Sequence, residues 1–214
     1  MKAEEHGSSE WRAIAERADD DELRERILTG YKDGKPFTPY VPTIALPQSI
    51  DWVLDFGCGV GRNFAYLKSI ARHVAGFDLP PMIERCRVLA SERVDLLSSD
   101  WREISTREFD LVFADLVLQH LETNVCREYL QGFARIAPAT YVLTRLQSDF
   151  GVNILGLIRD SDLFSVEVCV EVEHDPERHQ LRPIGQRSFA EIANAVDNNH
   201  YELLLTADRQ TRAR

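Results

Sequence analysis

Two groups of residues in the middle of the chain could do chemistry together. Four aspartates each close a short apolar run, and three glycines alternate with other residues just after the first of these runs. They are Asp55, Asp78, Asp100 and Asp115, and Gly57, Gly59 and Gly61. Glycines in such a turn let the backbone approach a ligand closely, and the amides that start the following helix point into the same space. We therefore expect a ligand-binding turn at residues 57–61.

The elements that must position these residues alternate between strand-like and helix-like patterns. The strand-like runs cover 52–56, 73–78, 93–100, 109–115 and 140–146, and helix-like segments lie near 61–71, 80–91 and 123–136. Such alternation predicts an α/β fold, a Rossmann-like, doubly wound and mainly parallel sheet with helices on both faces. Sheets of this kind bind ligands at the carboxyl ends of their strands, where the four aspartates fall.

The two ends of the chain follow other patterns. Residues 10–28 predict a helical cap and 30–47 an irregular segment, so we expect a cap or lid over 1–48 and one folded domain over 49–214. Residues 164–173 alternate strictly and predict a strand at an edge or in an antiparallel pair, with Phe164, Val166, Val168, Val170 and Val172 on one face. A short helix near 188–199 and a final strand follow.

Composition and charge argue against several classes of protein. The formal net charge of −10 opposes a broad grip on nucleic-acid phosphates. Apolar runs fall short of the ~20 residues that a membrane span requires, and the first residues lack the apolar centre of a secretory signal. We therefore expect a cytoplasmic protein with no membrane contact. The cysteines at 58, 86, 126 and 169 form no CxxC pair, which predicts reduced thiols without a metal site.

The glycine turn differs from two common nucleotide-binding motifs. A dinucleotide-binding turn would carry a third small residue where this chain has Arg62, and the Gly-Lys-Ser/Thr of a phosphate-binding loop is absent. The stretch "DFGCGVG" instead resembles the first motif of class I S-adenosylmethionine-dependent methyltransferases. The segments "GFDLPPMIERC", "LLSSDWREI" and "FDLVFADLVLQHLE" resemble the motifs on the next three strands.

This resemblance implies a seven-stranded-type sheet, S-adenosylmethionine as cofactor and a metal-independent reaction. Asp78 would bind both ribose hydroxyls, Asp100 would accept from the adenine amino group beside Trp101, and Asp115 would line the methionine end. The full implied cofactor set is Asp55, Gly57, Cys58, Gly59, Gly61, Asp78, Leu79, Asp100, Trp101, Asp115 and Leu116.

The sequence says less about the residues that would contact the methyl acceptor. His120 is the candidate general base, with packing beneath the cofactor or helix capping as the alternative. Tyr31 and Tyr40 are candidate acceptor-binding residues, and Trp11 could close over the acceptor or simply pack. The resemblance implies transfer of a methyl group to a small molecule, a peptide or a biosynthetic intermediate. Alternatives are a scaffold that keeps the fold without turnover, an RNA methyltransferase and a nicotinamide-dependent oxidoreductase.

Overall fold

The computed structural model describes residues 9–17, 19, 21, 41–90, 92–146, 153–175, 180–186, 188–193 and 199–208. The candidate acceptor residues Tyr31 and Tyr40 lie outside these ranges, as do residues 18, 20 and 22–28 of the predicted helical cap. In chain order the elements are α1 (Ser9–Arg17), β1 (Ile50–Phe56), α2 (Phe64–Ile70), β2 (Ala71–Phe77), α3 (Pro80–Leu89), β3 (Leu96–Ser98), α4 (Trp101–Ile104), β4 (Leu111–Asp115), α5 (Thr123–Ile136), β5 (Ala139–Arg145), α6 (Ile154–Arg159), β6 (Phe164–Asp175), β7 (Gln180–Gln186), α7 (Phe189–Ile192) and β8 (His200–Ala207).

A single sheet of eight strands runs through the described part of the chain, in the order β3-β2-β1-β4-β5-β8-β6-β7. The first five strands of this order are parallel, and β8, β6 and β7 continue the sheet in antiparallel pairs. The predicted doubly wound, mainly parallel sheet is confirmed. The eighth strand is β7, which was not predicted and which contains Pro183 and Gly185, two residue types that disfavour strands. It forms at the sheet edge, where proline is tolerated.

Strand β6 was predicted correctly in position but wrongly in its faces. Val166 lies opposite Leu205 and Val168 lies opposite Leu204, so one residue of β6, Glu167, is extra. This β-bulge reverses the alternation, because side chains change face with every residue. Phe164 and Val166 therefore pack on one side of the sheet, and Val170 and Val172 pack on the other. Cys169, predicted on the polar face, is only 5% exposed.

Helices cover both faces of the sheet and divide the core in two. On one face α2 and α3 contribute Phe64, Leu67, Ile83 and Cys86. On the other face α4, α5 and α6 pack, and the apolar residues of α5 between Val125 and Ile136 are buried. Strand β4, which lies between these layers, is buried at every residue, as expected for a central parallel strand. Among the described helices, none is long and apolar enough to cross a membrane.

Two N-terminal pieces attach to this frame. Helix α1 packs against α3, with Ala15 buried and its carbonyl oxygen accepting a hydrogen bond from Arg85 Nε at 3.4 Å. Residues 41–49 form neither helix nor strand, as predicted for this segment. The buried Glu202 of β8 holds this segment against the sheet. Its carboxylate accepts hydrogen bonds from the Thr43 amide at 2.9 Å and from the Tyr141 hydroxyl at 2.8 Å.

Candidate functional site

The glycine turn joins β1 to α2 at the carboxyl edge of the sheet. Gly57, Gly59 and Gly61 all have positive φ angles, of 75°, 56° and 85°. The amides of Gly57 and Cys58 donate to the Phe77 carbonyl oxygen at 2.8 and 3.1 Å, which ties the turn to the end of β2. A Cβ atom on Gly57 would lie 2.4 Å from Val117 Cγ2. The turn therefore needs glycine at position 57 both for its backbone angles and for the close approach of the loop after β4.

Asp78 links the glycine turn to the end of β2. Its Oδ2 accepts from the Gly59 amide at 2.7 Å and its Oδ1 accepts from the Leu79 amide at 2.6 Å. Burial raises the pKa of Asp78 to about 6, and the two backbone hydrogen bonds oppose that rise. Because a carboxylate oxygen has two lone pairs, each oxygen can still accept from a hydroxyl group of a ligand. The side chain is thus prepared for a vicinal diol while it fixes the turn.

Asp55 and Asp115 form a buried acidic pair beside the turn, 0% and 5% exposed. Asp55 Oδ1 accepts from Asn63 Nδ2 at 3.4 Å, and the Arg62 guanidinium forms an ion pair with Asp115 Oδ2. Desolvation, followed by the charge of Asp115, raises the pKa of Asp55 to about 8. The site therefore concentrates carboxyl groups where water does not solvate them.

Three buried acceptor atoms of this group have no hydrogen-bond partner among the described residues. They are Asp55 Oδ2, Asp115 Oδ1 and Asn63 Oδ1. Buried polar atoms are nearly always satisfied, because leaving one unpaired costs roughly 1–3 kcal/mol. A ligand that donates several hydrogen bonds and carries positive charge would satisfy the oxygens and favour ionisation of Asp55. The arrangement therefore suits an ammonium group.

Asp100 and Trp101 border the same edge at the end of β3. Asp100 is the N-cap of α4, and its Oδ1 accepts from the Arg102 amide at 2.9 Å. The exposed side chain of Asp100 remains within reach of a ligand. The Trp101 indole, by contrast, packs edge-on against Phe77 and Tyr129 at 5.3 and 5.2 Å, and the residue is only 7% exposed. A ligand would therefore meet mainly the backbone of Trp101.

The loop after β4 turns back toward the glycine turn. Leu116 has φ of 54°, a left-handed conformation that is uncommon for a residue other than glycine. Its amide donates to the Leu143 carbonyl oxygen at 2.8 Å, which fixes this conformation to the neighbouring strand. Val117 is thereby set against Gly57. Local strain of this kind clusters at functional sites, and here it shapes the loop that carries His120.

His120 lies in the loop after β4, against α1. The rings of Trp11 and His120 meet edge-on with their centroids 5.2 Å apart. The neighbouring Gln119 is 3% exposed, and its Oε1 accepts from Thr144 Oγ1 at 3.1 Å and from the Arg145 amide at 3.4 Å. Its Nε2 lies 3.5 Å from His120 Nε2. The histidine is thus held between α1 and the end of β5.

Residues 53–138 match a family model described as a methyltransferase domain. The glycine turn, Asp78, Asp100 and the loop after β4 all lie within this matched segment. The N-methyltransferase NodS from Bradyrhizobium japonicum, solved with S-adenosyl-L-homocysteine, is 13% identical with a TM-score of 0.51 over 93% of this chain and 92% of that one. A SAM-dependent methyltransferase from Leishmania major is 16% identical with a TM-score of 0.55 over 76% and 67%. Such low identities show a shared fold. No curated protein sequence matches the chain.

Within the matched segment, most of the predicted cofactor residues meet at the carboxyl edge of the sheet. Asp55, Asp78, Asp115 and the three glycines surround one turn, and Leu79 and Leu116 adjoin it. Cys58 belongs to the turn, and its side chain is buried. Burial, and then the neighbouring Cys86 thiol, raise the pKa of Cys58 well above its usual range. All four cysteines are unbridged and buried, so the prediction of free thiols is confirmed.

Sequence reasoning missed three residues of the candidate site. Arg62 was treated only as a departure from the dinucleotide-binding pattern, whereas its guanidinium pairs with Asp115. Asn63 was not considered, although it follows the turn directly and donates to Asp55. Gln119 carried one signal, its position beside the candidate His120 in an otherwise apolar stretch. Its partners come from β5, which no local pattern indicates.

Proposed function

We propose that the protein binds S-adenosylmethionine at the glycine turn and transfers its methyl group to a small molecule or a peptide. The observation that carries the proposal is the buried pair Asp55 and Asp115, whose unpartnered oxygens lie beside that turn. S-adenosylmethionine combines an ammonium group, a sulfonium centre and a ribose diol. A ligand with this chemistry satisfies the acid pair and Asp78 together.

Each part of the cofactor has candidate partners in the described residues. Asp78 would accept from the ribose hydroxyls with the lone pairs that the Gly59 and Leu79 amides leave available. Asp55 and Asp115 would pair with the ammonium group. The exposed carboxylate of Asp100 and the backbone of Trp101 would border the adenine. When bound, the cofactor supplies an electrophilic methyl group on a sulfonium, and the thioether that remains after transfer is neutral.

The protein's part in such a transfer is mainly to position the acceptor. Methyl transfer would need the acceptor atom to be held close to the methyl group in one orientation, so the residues of the site would contribute chiefly by holding the acceptor in place. His120 and Trp11 would face the acceptor at the site mouth. The contact between their rings supports the proposal that residues 1–48 form a cap over the site. A net charge of −10 disfavours RNA as the acceptor.

Calorimetric titration with S-adenosylhomocysteine tests the cofactor proposal, with NAD as a competing ligand class. We expect micromolar binding to the wild type and weaker binding to Asp78→Ala by roughly 1–3 kcal/mol, the scale for losing a hydrogen-bonding partner of the ligand. Asp160→Ala, at the exposed end of α6, is the matched control and should bind as the wild type does. Preferential binding of NAD, or equal affinity in Asp78→Ala and Asp160→Ala, would contradict the proposal.

Turnover requires a second experiment, because the fold could bind the cofactor without using it. Methyl-labelled S-adenosylmethionine is incubated with pools of amines, carboxylic acids and short peptides, and labelled products are separated from the cofactor. We expect label in at least one pool, and loss of that label in Asp78→Ala. Tight binding of S-adenosylhomocysteine with no transfer to any pool would favour a scaffold without catalysis.

A further inference from the structure

Gln119 extends the hydrogen-bonding of the sheet beyond the end of β4. The last pair between β4 and β5 joins Asp115 to Leu143. Alternate residues of a strand point their backbone groups to the same side, so the Arg145 amide faces the space that β4 has left. The carboxamide oxygen of Gln119 occupies this space, 3.4 Å from the Arg145 amide nitrogen. A buried side chain thus takes the place of the missing strand residue.

This position determines which way the carboxamide of Gln119 is turned. A backbone amide can only donate, so the Gln119 atom that faces Arg145 must be the oxygen. The Thr144 hydroxyl also lies 3.1 Å from that oxygen and can donate to it. The NH2 group must then face His120, where it lies 3.5 Å from Nε2. Turning the carboxamide over would set its NH2 group against the Arg145 amide, a donor against a donor.

The carboxamide in turn determines the state of the imidazole. Because the NH2 group of Gln119 can only donate, the His120 Nε2 that faces it must present a lone pair. In a neutral imidazole with a lone pair on Nε2, the proton is on Nδ1. Protonation of Nε2 would place two donors against each other at 3.5 Å. The contacts therefore favour one neutral tautomer of His120.

We propose that Gln119 is a positioning residue that holds His120 as the neutral Nδ1–H tautomer. The inference rests on the proposed function only in placing His120 beside the acceptor. In this state Nδ1 carries a proton and the lone pair of Nε2 faces the NH2 group of Gln119, so the ring does not remove a proton from the acceptor. The site then suits acceptors that arrive with a reactive lone pair, namely amines, carboxylates or thiolates, rather than alcohols that need a base.

Nitrogen NMR of the full-length protein labelled with ¹⁵N-histidine tests the inference, since ring nitrogens with and without a proton have distinct shifts. The His120 signals are identified by their loss in His120→Gln. We expect the Nδ1–H pattern in the wild type at neutral pH. Gln119→Glu keeps the side-chain shape and still presents an oxygen to the Arg145 amide, but it places a second carboxylate oxygen against His120. In this variant we therefore expect His120 as the Nε2–H tautomer or as imidazolium. Gln131→Glu on the exposed side of α5 is the charge-matched control and should leave the pattern unchanged.

Two results would overturn the inference. One is an Nε2–H or imidazolium pattern in the wild type, which is decisive even if Gln119→Glu does not fold. The other is an unchanged tautomer in a Gln119→Glu protein that unfolds as cooperatively as Gln131→Glu. The outcome does not depend on the cofactor proposal. A protein with the Nδ1–H pattern that fails to bind S-adenosylhomocysteine would remove the proposed function and leave the tautomer assignment standing.

Discussion

Replacing Asp55 with asparagine should make the ligand-free protein more stable and its cofactor site weaker. The wild-type carboxyl is fully buried beside Asp115, and its pKa is raised to about 8. Asparagine has nearly the same shape and can still accept from Asn63 through its oxygen, but it cannot ionise. The substitution therefore removes the cost of a buried acid without opening a cavity.

The size of this effect follows from the two pKa values. An aspartate in the unfolded chain has a pKa near 3.9, so between about pH 4 and pH 8 the unfolded state loses a proton that the folded state keeps. The folded state then binds more protons, and stability falls as pH rises through this window. Each pH unit costs about 1.4 kcal/mol, so at pH 7 Asp55 costs up to about 4 kcal/mol. Asp55→Asn should recover that amount at pH 7 and little of it at pH 4.

Urea unfolding of the ligand-free wild type and Asp55→Asn at several pH values between 5 and 7 measures the effect. The gap in unfolding free energy should widen by about 1.4 kcal/mol per pH unit. Asp160→Asn, an exposed site, should show no widening over the same range. Calorimetry should show S-adenosylhomocysteine bound roughly 10- to 100-fold more weakly by Asp55→Asn, because a hydrogen bond to a charged group contributes about 1.5–3 kcal/mol. A constant gap would refute the buried-acid reasoning, and unchanged affinity would refute the ammonium contact.

Two further substitutions test the packing around the site. Gly57→Ala should lower the free energy of unfolding in urea by roughly 2–5 kcal/mol, because it combines a left-handed backbone with a Cβ that meets Val117. Gly185→Ala is the control and should change stability little, because open space surrounds Gly185. Equal effects of the two substitutions would contradict this account. Glu202→Leu should lower the free energy of unfolding, because it leaves the buried Tyr141 hydroxyl without its acceptor. Adding Tyr141→Phe should recover roughly 1–3 kcal/mol of that free energy. Strictly additive losses in the double-mutant cycle would show that the two groups do not interact.

The parts of the fold that could be predicted from sequence depend on local rules. Short apolar runs that alternate with helix-like segments indicated the parallel strands and the helices between them. The prediction failed at β6, where the bulge at Glu167 moves Val170 and Val172 to the opposite face from Phe164. A bulge arises from pairing with the neighbouring strand, so the alternation within β6 does not reveal it.

In the candidate site, too, some features follow from local sequence and others only from tertiary structure. The sequence by itself determined that residues 57–61 form a glycine turn beside an acidic strand end, because three positive φ angles in five residues favour glycine. Only the tertiary structure decided what surrounds that turn. It left oxygens of Asp55 and Asp115 buried without partners, and it turned Gln119 toward His120. Burial, charge pairing and donor direction are set by side chains from distant strands, which meet only when the sheet has formed.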